Sequence, residues 1–396
     1  AVLTSLKEAI DISLDACDEE GILPEIDVEI EKVGAGTIKN TDLIRIKVID
    51  NGPGLELDEV SRVFGEYLAS SKFGRGRCSR GQQGIGISAA TTWAQLTSAK
   101  GAQVITKTKA MRQAVSLLVE VDIKHNKGVL KDKKTIAWDR PHGVSVEFLV
   151  DGRIQLQGEG GLLTYLTGTT LVNPHMSLRF KLLDQPVQKV ERVSTDVPKI
   201  PSATEPHPHT MKLGEFIAHS HLFGRTNLRS WLKKGFSRIT DNIIGEFIKN
   251  GLNRKYLDQS IDNITEAQFK EVFSIIHKTE LMSPSTKSVM SVGEDAFSKS
   301  IRRLGEVDFF SVVTRKPTIC DFKPVAVEVA VARLKGGTSR GDGQQVSQGD
   351  DPQSTAQILR FANRVPLQFD KSACAMVKAI ETVNWRTNGL AQPRES

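Results

Sequence analysis

The chain of 396 residues contains no apolar run long enough to span a bilayer, which takes about 18 residues or more. Cysteine is scarce: Cys17, Cys78, Cys320 and Cys374 are far apart and form no CxxC pair. That argues against a zinc knuckle and a disulfide framework, and favours a reduced, intracellular setting. A Walker loop, GxxxxGK[ST], is missing, and the glycine-rich stretch does not close a first strand–helix unit as a Rossmann fingerprint does. No repeat of fixed period is present, which excludes a solenoid or propeller. Neither charge sign dominates: 53 Lys and Arg face 47 Asp and Glu, a net +6 that permits contact with a polyanion without demanding it. The first residues, AVLTSLKEAIDISLDAC, lack a basic leader and a small-residue cleavage site, so no signal peptide is expected. Without a Met at its start, the chain is consistent with a fragment.

The composition itself is globular, and the length predicts two or three domains. In residues 1–20, Leu3, Leu6, Ile10, Leu14 and Cys17 fall at helical spacing with acids on the other face, and Gly21 ends the pattern. IDVEI (26–30) and LIRIKVID (43–50) alternate as half-buried strands do. Residues 66–86 are rich in Gly, Ser, Arg and Lys, and ISAATTWAQL after them reads as helix. QVITKTKA, QAVSLLVEVDI and GVSVEFLV continue the strands, giving an α+β layer. STDVPKIPSATEPHPHT (194–210) is a linker. Residues 211–300 read as helices, with Thr240 and Thr265 as N-caps. Residues 305–396 return to strands, EVDFFSVVTRK and KPVAVEVAVARL, and then to the helix KSACAMVKAIETV. KGGTSRGDGQQVSQGDDPQS (335–354) reads as a polar loop.

Three pieces carry chemistry. The first helix holds Glu8, Asp11, Ile12 and Asp15. A strand end carries Asp50-Asn51-Gly52-Pro53-Gly54, and Ser79-Arg80-Gly81-Gln82-Gln83-Gly84-Ile85-Gly86 leads into a helix. A carboxylate at a strand end, followed by Gly-x-Gly, can accept a hydrogen bond from a base amino group while glycine lets the ligand approach the backbone. A glycine turn that opens a helix offers unpaired N–H groups and a positive dipole end to phosphates. A glutamate on the first helix can orient and deprotonate water for attack on a terminal phosphate. Each piece alone is weak, since DNGPG reads equally as a turn and a lone GxxGxG is more often a tight turn. Their ordered combination is far more specific.

These pieces resemble the N, G1 and G2 boxes of the GHKL ATPases. The stretches KEAIDISLDACDEEGILPEI, EYLASSKFGRGRCSRGQQGIGISAATTWAQLTS, EPHPHTMKLG and LRFANRVPLQFDKSACAMVKA resemble more narrowly the B subunits of type IIB DNA topoisomerases, over nearly the whole chain. The resemblance implies a Bergerat α/β sandwich over 1–205, a helix–two-turns–helix insert over 206–300 and a ribosomal-S5-like transducer over 301–396. It implies ATP and Mg2+ as ligands, Glu8 as general base, and Asp50 on the adenine amino group, with Gly52 and Gly54 shaping that pocket. Ser71 and Lys72 would sit in the lid. Gly81, Gln82, Gln83, Gly84, Ile85, Gly86, Ile87 and Ser88 would wrap the triphosphate. The implied partners are a second copy of the chain, closed by ATP into a clamp, double-stranded DNA, and the A subunit that cuts it, in an A2B2 heterotetramer away from any membrane. The implied location is cytoplasmic at the nucleoid, or nuclear in a eukaryote. Tyr67, Tyr165 and Tyr256 sit in no setting suited to strand cleavage.

The sequence also departs from that pattern. Where the family places an Mg2+-binding Asn one turn after the Glu, this chain has Ile12, and an aliphatic side chain cannot ligate a hard cation. Gly143-Val144 replaces a Gly-Thr pair. Trp385-Arg386-Thr387-Asn388 stands where a Trp-Lys-x-Tyr motif presents lysine to the γ-phosphate; Arg386 keeps the charge. The family also has a strap before the first helix and more sheet after the Trp motif. Two readings follow: a working ATPase whose metal site is rebuilt by Asp11 or by water, and a non-hydrolysing scaffold for a DNA-cleaving partner. A GHKL chaperone or mismatch-repair ATPase is disfavoured by the helical insert and RFANRVPL. Lys72, Arg75, Arg77 and Arg80 read as a basic lid aimed at phosphate. Arg229, Lys233, Lys234 and Arg238, around Trp231, and Arg315 with Lys316, read as DNA-facing or as solvated charge. His207 and His209 read as part of a rigid linker, and Cys17 as core.

Overall fold

In the computed structural model, residues 1–67, 80, 85–201, 204–334, 355–356, 358–368, 370–388 and 394–395 are described. The amphipathic start of the chain forms α1 (Val2–Glu19). The alternating stretches form β1 (Glu25–Ala35) and β2 (Asp42–Ile49), and a short α2 (Leu57–Gly65) follows. The helix expected after the glycine turn is α3 (Gly86–Ser98). Then come β3 (Ala102–Lys107), β4 (Ala114–Asp122), β5 (Lys127–Ile136), β6 (Gly143–Gly152), α4 (Leu162–Val172), β7 (Ser177–Leu182) and β8 (Gln188–Val190).

The eight strands form one sheet in the order β5-β4-β3-β6-β2-β1-β7-β8. Every neighbouring pair is antiparallel except β1 and β7. Period-2 alternation puts Ile26, Val28, Ile30, Ile44, Ile46 and Val48 on the covered face, where α1, α3 and α4 add Leu6, Ile10, Leu14, Ala90 and Leu166. Each such side chain withdrawn from water contributes about 1.5–3 kcal/mol. The opposite face carries ion pairs, Arg45 with Glu31 and Arg179 with Glu29. β2 lies centrally. Its last residue, Ile49, stands opposite Asp27 on one side and Ser145 on the other, so Asp50 leaves the sheet beside Val144.

The helical region has its own core. α5 (Leu213–Ser220), α6 (Leu228–Gly235), α7 (Asp241–Lys249), α8 (Arg254–Leu257) and α9 (Glu266–Lys278) enclose Phe216, Trp231, Phe236, Phe247 and Phe269. The caps read from the sequence are formed: Thr240 accepts from the Ile243 amide and Thr265 from the Gln268 amide. Next come α10 (Glu294–Ile301), β9 (Val307–Thr314), β10 (Thr318–Cys320), β11 (Lys323–Val325), β12 (Glu328–Leu334) and α11 (Ala375–Thr382). β9 and β12 pair antiparallel, and one face of that hairpin packs Phe310, Val312 and Ala330 around Phe297 and Ile301 of α10 and Leu171 of α4. Arg303 fastens this part to the first domain by donating to the carbonyls of Thr170 (2.8 Å) and Glu191 (2.7 Å). No described helix is long and apolar enough to cross a membrane. The polar stretch 335–354 lies outside the described residues.

Candidate functional site

Asp50 is buried at the end of the central strand β2 and heavily hydrogen-bonded. Its Oδ2 accepts from Ser13 Oγ at 2.8 Å, and its Oδ1 accepts from the amides of Gly52 and Val144, each at 2.9 Å. Burial pushes its pKa up, against the pull of those three bonds. A carboxylate has about four acceptor directions, so one stays open to a further donor among the described residues. Val144 brings no hydroxyl, and it is its backbone N–H that holds Asp50.

Glycine is required around this carboxylate for steric reasons. Gly54 has φ +77°, and a Cβ there would lie 2.1 Å from the Lys107 carbonyl oxygen. Gly143 has φ +138°, and its Cβ would lie 2.2 Å from the Asp50 carbonyl oxygen. A Cβ on Gly52 would meet Asp50 Oδ1 at 3.1 Å and Cys17 Sγ at 3.5 Å. Asn51 faces away from this pocket: its amide donates to the Leu23 carbonyl and its oxygen accepts from the Glu25 amide, tying the α1–β1 connection in place.

The other end of α1 meets the start of α3. A Cβ on Gly86 would come within 1.8 Å of Glu8 Oε2, so the Glu8 carboxylate rests directly on the first residue of that helix. α1 therefore touches the start of α3 through Glu8 and Asp50 through Ser13, five residues and about 7.5 Å further along its axis. α1 thus links two groups: Glu8 with Gly86, next to Ile85, at the start of α3, and Ser13 with Asp50 and Gly52 at the end of β2, where Gly54 packs on the end of β3. Ile87 and Ser88 are buried, and Ser88 Oγ donates to the Glu66 carbonyl at 2.6 Å. Only the amides of these two, in the first turn of α3, are left to face a ligand. Ile12 is half-buried and packs on the sheet core. Arg386 is exposed on the 3-10 turn Trp385–Asn388, with no hydrogen bond or ion pair among the described residues. Ser71, Lys72, Arg75, Arg77, Gly81, Gln82, Gln83 and Gly84 lie outside the described residues.

Two expectations need correction. The acids of α1 do not form a solvent face: Asp11, Asp15 and Asp18 are only 2%, 5% and 5% exposed. Each is held by a cation or an imidazole. Lys7 Nζ donates to Asp11 at 2.7 Å, and His175 Nε2 lies 2.7 Å from Asp18. Arg80, read as a lid cation for phosphate, is instead turned inward. It donates to Asp15 (2.9 Å), Asp18 (2.8 Å) and the Asn173 side chain (2.5 Å). Asp11, the acid that could rebuild a metal site, is here held against Lys7. Among the described residues, no three His, Cys, Asp or Glu side chains converge on a cation position.

Sequence reasoning missed Ser13, Thr106 and His142. Thr106 exchanges hydrogen bonds with both backbone groups of Leu55, each at 2.8 Å, and His142 Nδ1 lies 2.7 Å from the Gly52 carbonyl. Ser13, five positions after Glu8 and next to Ile12, carried a signal only as a hydroxyl on an otherwise apolar face. The basic helix face is partly neutralised, since Arg229 and Lys233 both pair with Asp241, and Trp231 is buried. A cavity of about 690 Å3 lies elsewhere, between the 174–199 segment and the start of α10.

Comparison with known proteins identifies the family. The family profile described as "Histidine kinase-, DNA gyrase B-, and HSP90-like ATPase" matches residues 2–146, and "Topoisomerase VI B subunit, transducer" matches residues 284–396. The B subunit of type 2 DNA topoisomerase 6 from Archaeoglobus fulgidus is 34% identical over 395 residues, covering 100% of this chain and 62% of that protein. Its counterpart of the same name from Pyrococcus abyssi is 30% identical over 434 residues, covering 98% of this chain and 72% of that protein. The chain thus spans about three fifths of the length of the Archaeoglobus relative. With a GHKL-type α+β ATPase layer at one end and a transducer match at the other, the chain belongs to the B-subunit family of type 2 DNA topoisomerase 6.

Proposed function

We propose that the chain is the ATP-binding and ATP-hydrolysing part of the B subunit of a type IIB topoisomerase. ATP would close two copies around duplex DNA and gate its passage through a break made by an A subunit, in an A2B2 assembly. The observation that carries this reading is the double contact of α1: Glu8 on Gly86 at the start of α3, and Ser13 on Asp50. The open acceptor direction of Asp50 suits the amino group of adenine. The start of α3 suits the terminal phosphates, where unpaired amides and the helix dipole favour negative charge. Glu8 then stands beside the phosphate end, where a carboxylate can take the proton of an attacking water. The same activity places the protein with DNA, at a bacterial or archaeal nucleoid or in a nucleus.

The residues do not fit the expected magnesium site. The side chain at position 12 supplies no oxygen, and Asp11 is held against Lys7. No step is therefore assigned to the metal. That mismatch favours a second reading, a non-hydrolysing scaffold that still binds a cutting partner. The two separate in one experiment: ATP titration and turnover, with and without Mg2+, for the wild-type chain, Glu8→Ala and Ile12→Asn. Wild-type hydrolysis that vanishes in Glu8→Ala supports the enzyme. Turnover seen only in Ile12→Asn supports the scaffold.

A further inference from the structure

A cation beside Glu8 has no part in the reading above. Lys7 Nζ donates to Asp11 Oδ2 at 2.7 Å and to Glu8 Oε1 at 3.2 Å. Lys7 and Asp11 are one turn apart on α1 and share a face, whereas Glu8 is the next residue along; only the long lysine stem reaches both. Asp11 is 2% exposed, and a buried carboxylate stripped of its cation is strongly disfavoured. Burial pushes the Asp11 carboxyl up to about 6, so above that pH it is ionised and grips the ammonium. Burial also works against the charge on Lys7, but Asp11, and then Glu8, more than restore it. Asp15 and Arg80 act on Asp11 from further along the cluster, and the buried Tyr165 of α4 lies within range of both Asp11 and Glu8.

The two oxygens of Glu8 are not equivalent. Oε1 accepts a hydrogen bond from the Lys7 ammonium. Oε2 has no hydrogen bond among the described residues and lies closer to the start of α3: a Cβ on Gly86 would be 1.8 Å from Oε2 and 2.8 Å from Oε1. We propose that Lys7 is a positioning residue for Glu8, an Asp11-anchored ammonium that holds Oε1 and leaves Oε2 as the oxygen presented to the phosphate end of the cradle. This rests on the reading of Glu8 as the group that activates water. Because the fold buries Asp11, the ammonium is fixed by the helix itself and is in place before nucleotide arrives.

The test compares ATP turnover by the full chain with that of Lys7→Met, Lys7→Arg and Glu8→Ala, alongside binding of a fluorescent ATP analogue. Lys7→Met should lower kcat by roughly 10- to 100-fold, a part of what a general base contributes, with KM and analogue affinity within about threefold. Lys7→Arg, which keeps the charge, should recover most of the rate; a merely structural role would lower analogue affinity together with kcat and give no such rescue. A wild type that turns ATP over, with kcat unchanged in Lys7→Met, overturns the Lys7 proposal alone. A wild type that binds the analogue but turns ATP over no faster than Glu8→Ala overturns the water-activating reading, and the role of Lys7 with it.

Discussion

Gly86→Ala offers a direct test of whether the Glu8 carboxylate works where the structure puts it. The added methyl would stand 1.8 Å from Oε2, 2.1 Å from Cδ and 2.8 Å from Oε1 of Glu8. Nonbonded heavy atoms need roughly 3.5 Å, so the carboxylate must retreat by about 1.5 Å. The obstructing atoms are the far end of a flexible side chain and not backbone. Glu8 can therefore swing aside at small cost, while Ala in a helix gains roughly 0.5–1 kcal/mol over Gly. Stability should stay within about 1 kcal/mol of wild type. A displacement of about 1 Å at a reacting group, however, costs on the order of 100-fold in rate. Measured side by side, kcat should collapse while Tm and secondary structure hold. Gly143→Ala supplies the contrast. Its Cβ would strike the Asp50 carbonyl oxygen at 2.2 Å, at φ +138°, so that variant should lose stability first. If Gly86→Ala keeps kcat within threefold of wild type, the contact between Glu8 and α3 does not set the position of the base, and the mechanistic reading of the cradle is wrong.

Two further outcomes follow from buried charge. His219 sits among Phe223, Phe236 and Trp231 and accepts a hydrogen bond from the indole N–H of Trp231 at 3.2 Å; burial lowers its pKa from 6.5 to about 4. Because the folded pKa is depressed, only the unfolded chain binds the proton as pH falls from 6.5 towards 4, so stability is lost on acidification, by about 2–3 kcal/mol in total. His219→Gln keeps an acceptor for Trp231 and removes the titration; Tm measured between pH 7 and 4 should fall less steeply, and an unchanged slope would refute the assignment. Arg80→Met leaves Asp15 and Asp18 buried without their guanidinium and should cost about 3–5 kcal/mol in chemical denaturation; a loss below 1 kcal/mol would mean that Arg80 makes no such network in solution.

How much of this was legible in the sequence depended on the range of the interaction. α1, β1, β2, α3 and the caps at Thr240 and Thr265 are fixed by periodicity and by hydrogen bonds to residues three positions away, and the sequence displays both. α4 escaped notice because LLTYLTGTTLV has no polar face. It is buried between the sheet and the 361–366 hairpin, where Gly168 lets Pro366 approach to 3.1 Å of a Cβ position. The cradle was legible as an ordered set of Glu8, Asp50 and glycines, through resemblance more than through any one residue. Arg80 was misread for a physical reason: in a basic, glycine-rich stretch its charge points to phosphate, and its partners Asp15 and Asp18 lie 65 and 62 residues earlier. The acids of α1 were misread for the complementary reason, because an unpaired Asp on an amphipathic helix belongs in water. Neither half of the pair reveals burial alone. Together they explain why a helix presenting Glu8 can carry three more buried carboxylates: Lys7 holds Asp11, Arg80 bridges Asp15 and Asp18, and the His175 imidazole contacts Asp18, while Glu8 shares the Lys7 ammonium at the cradle.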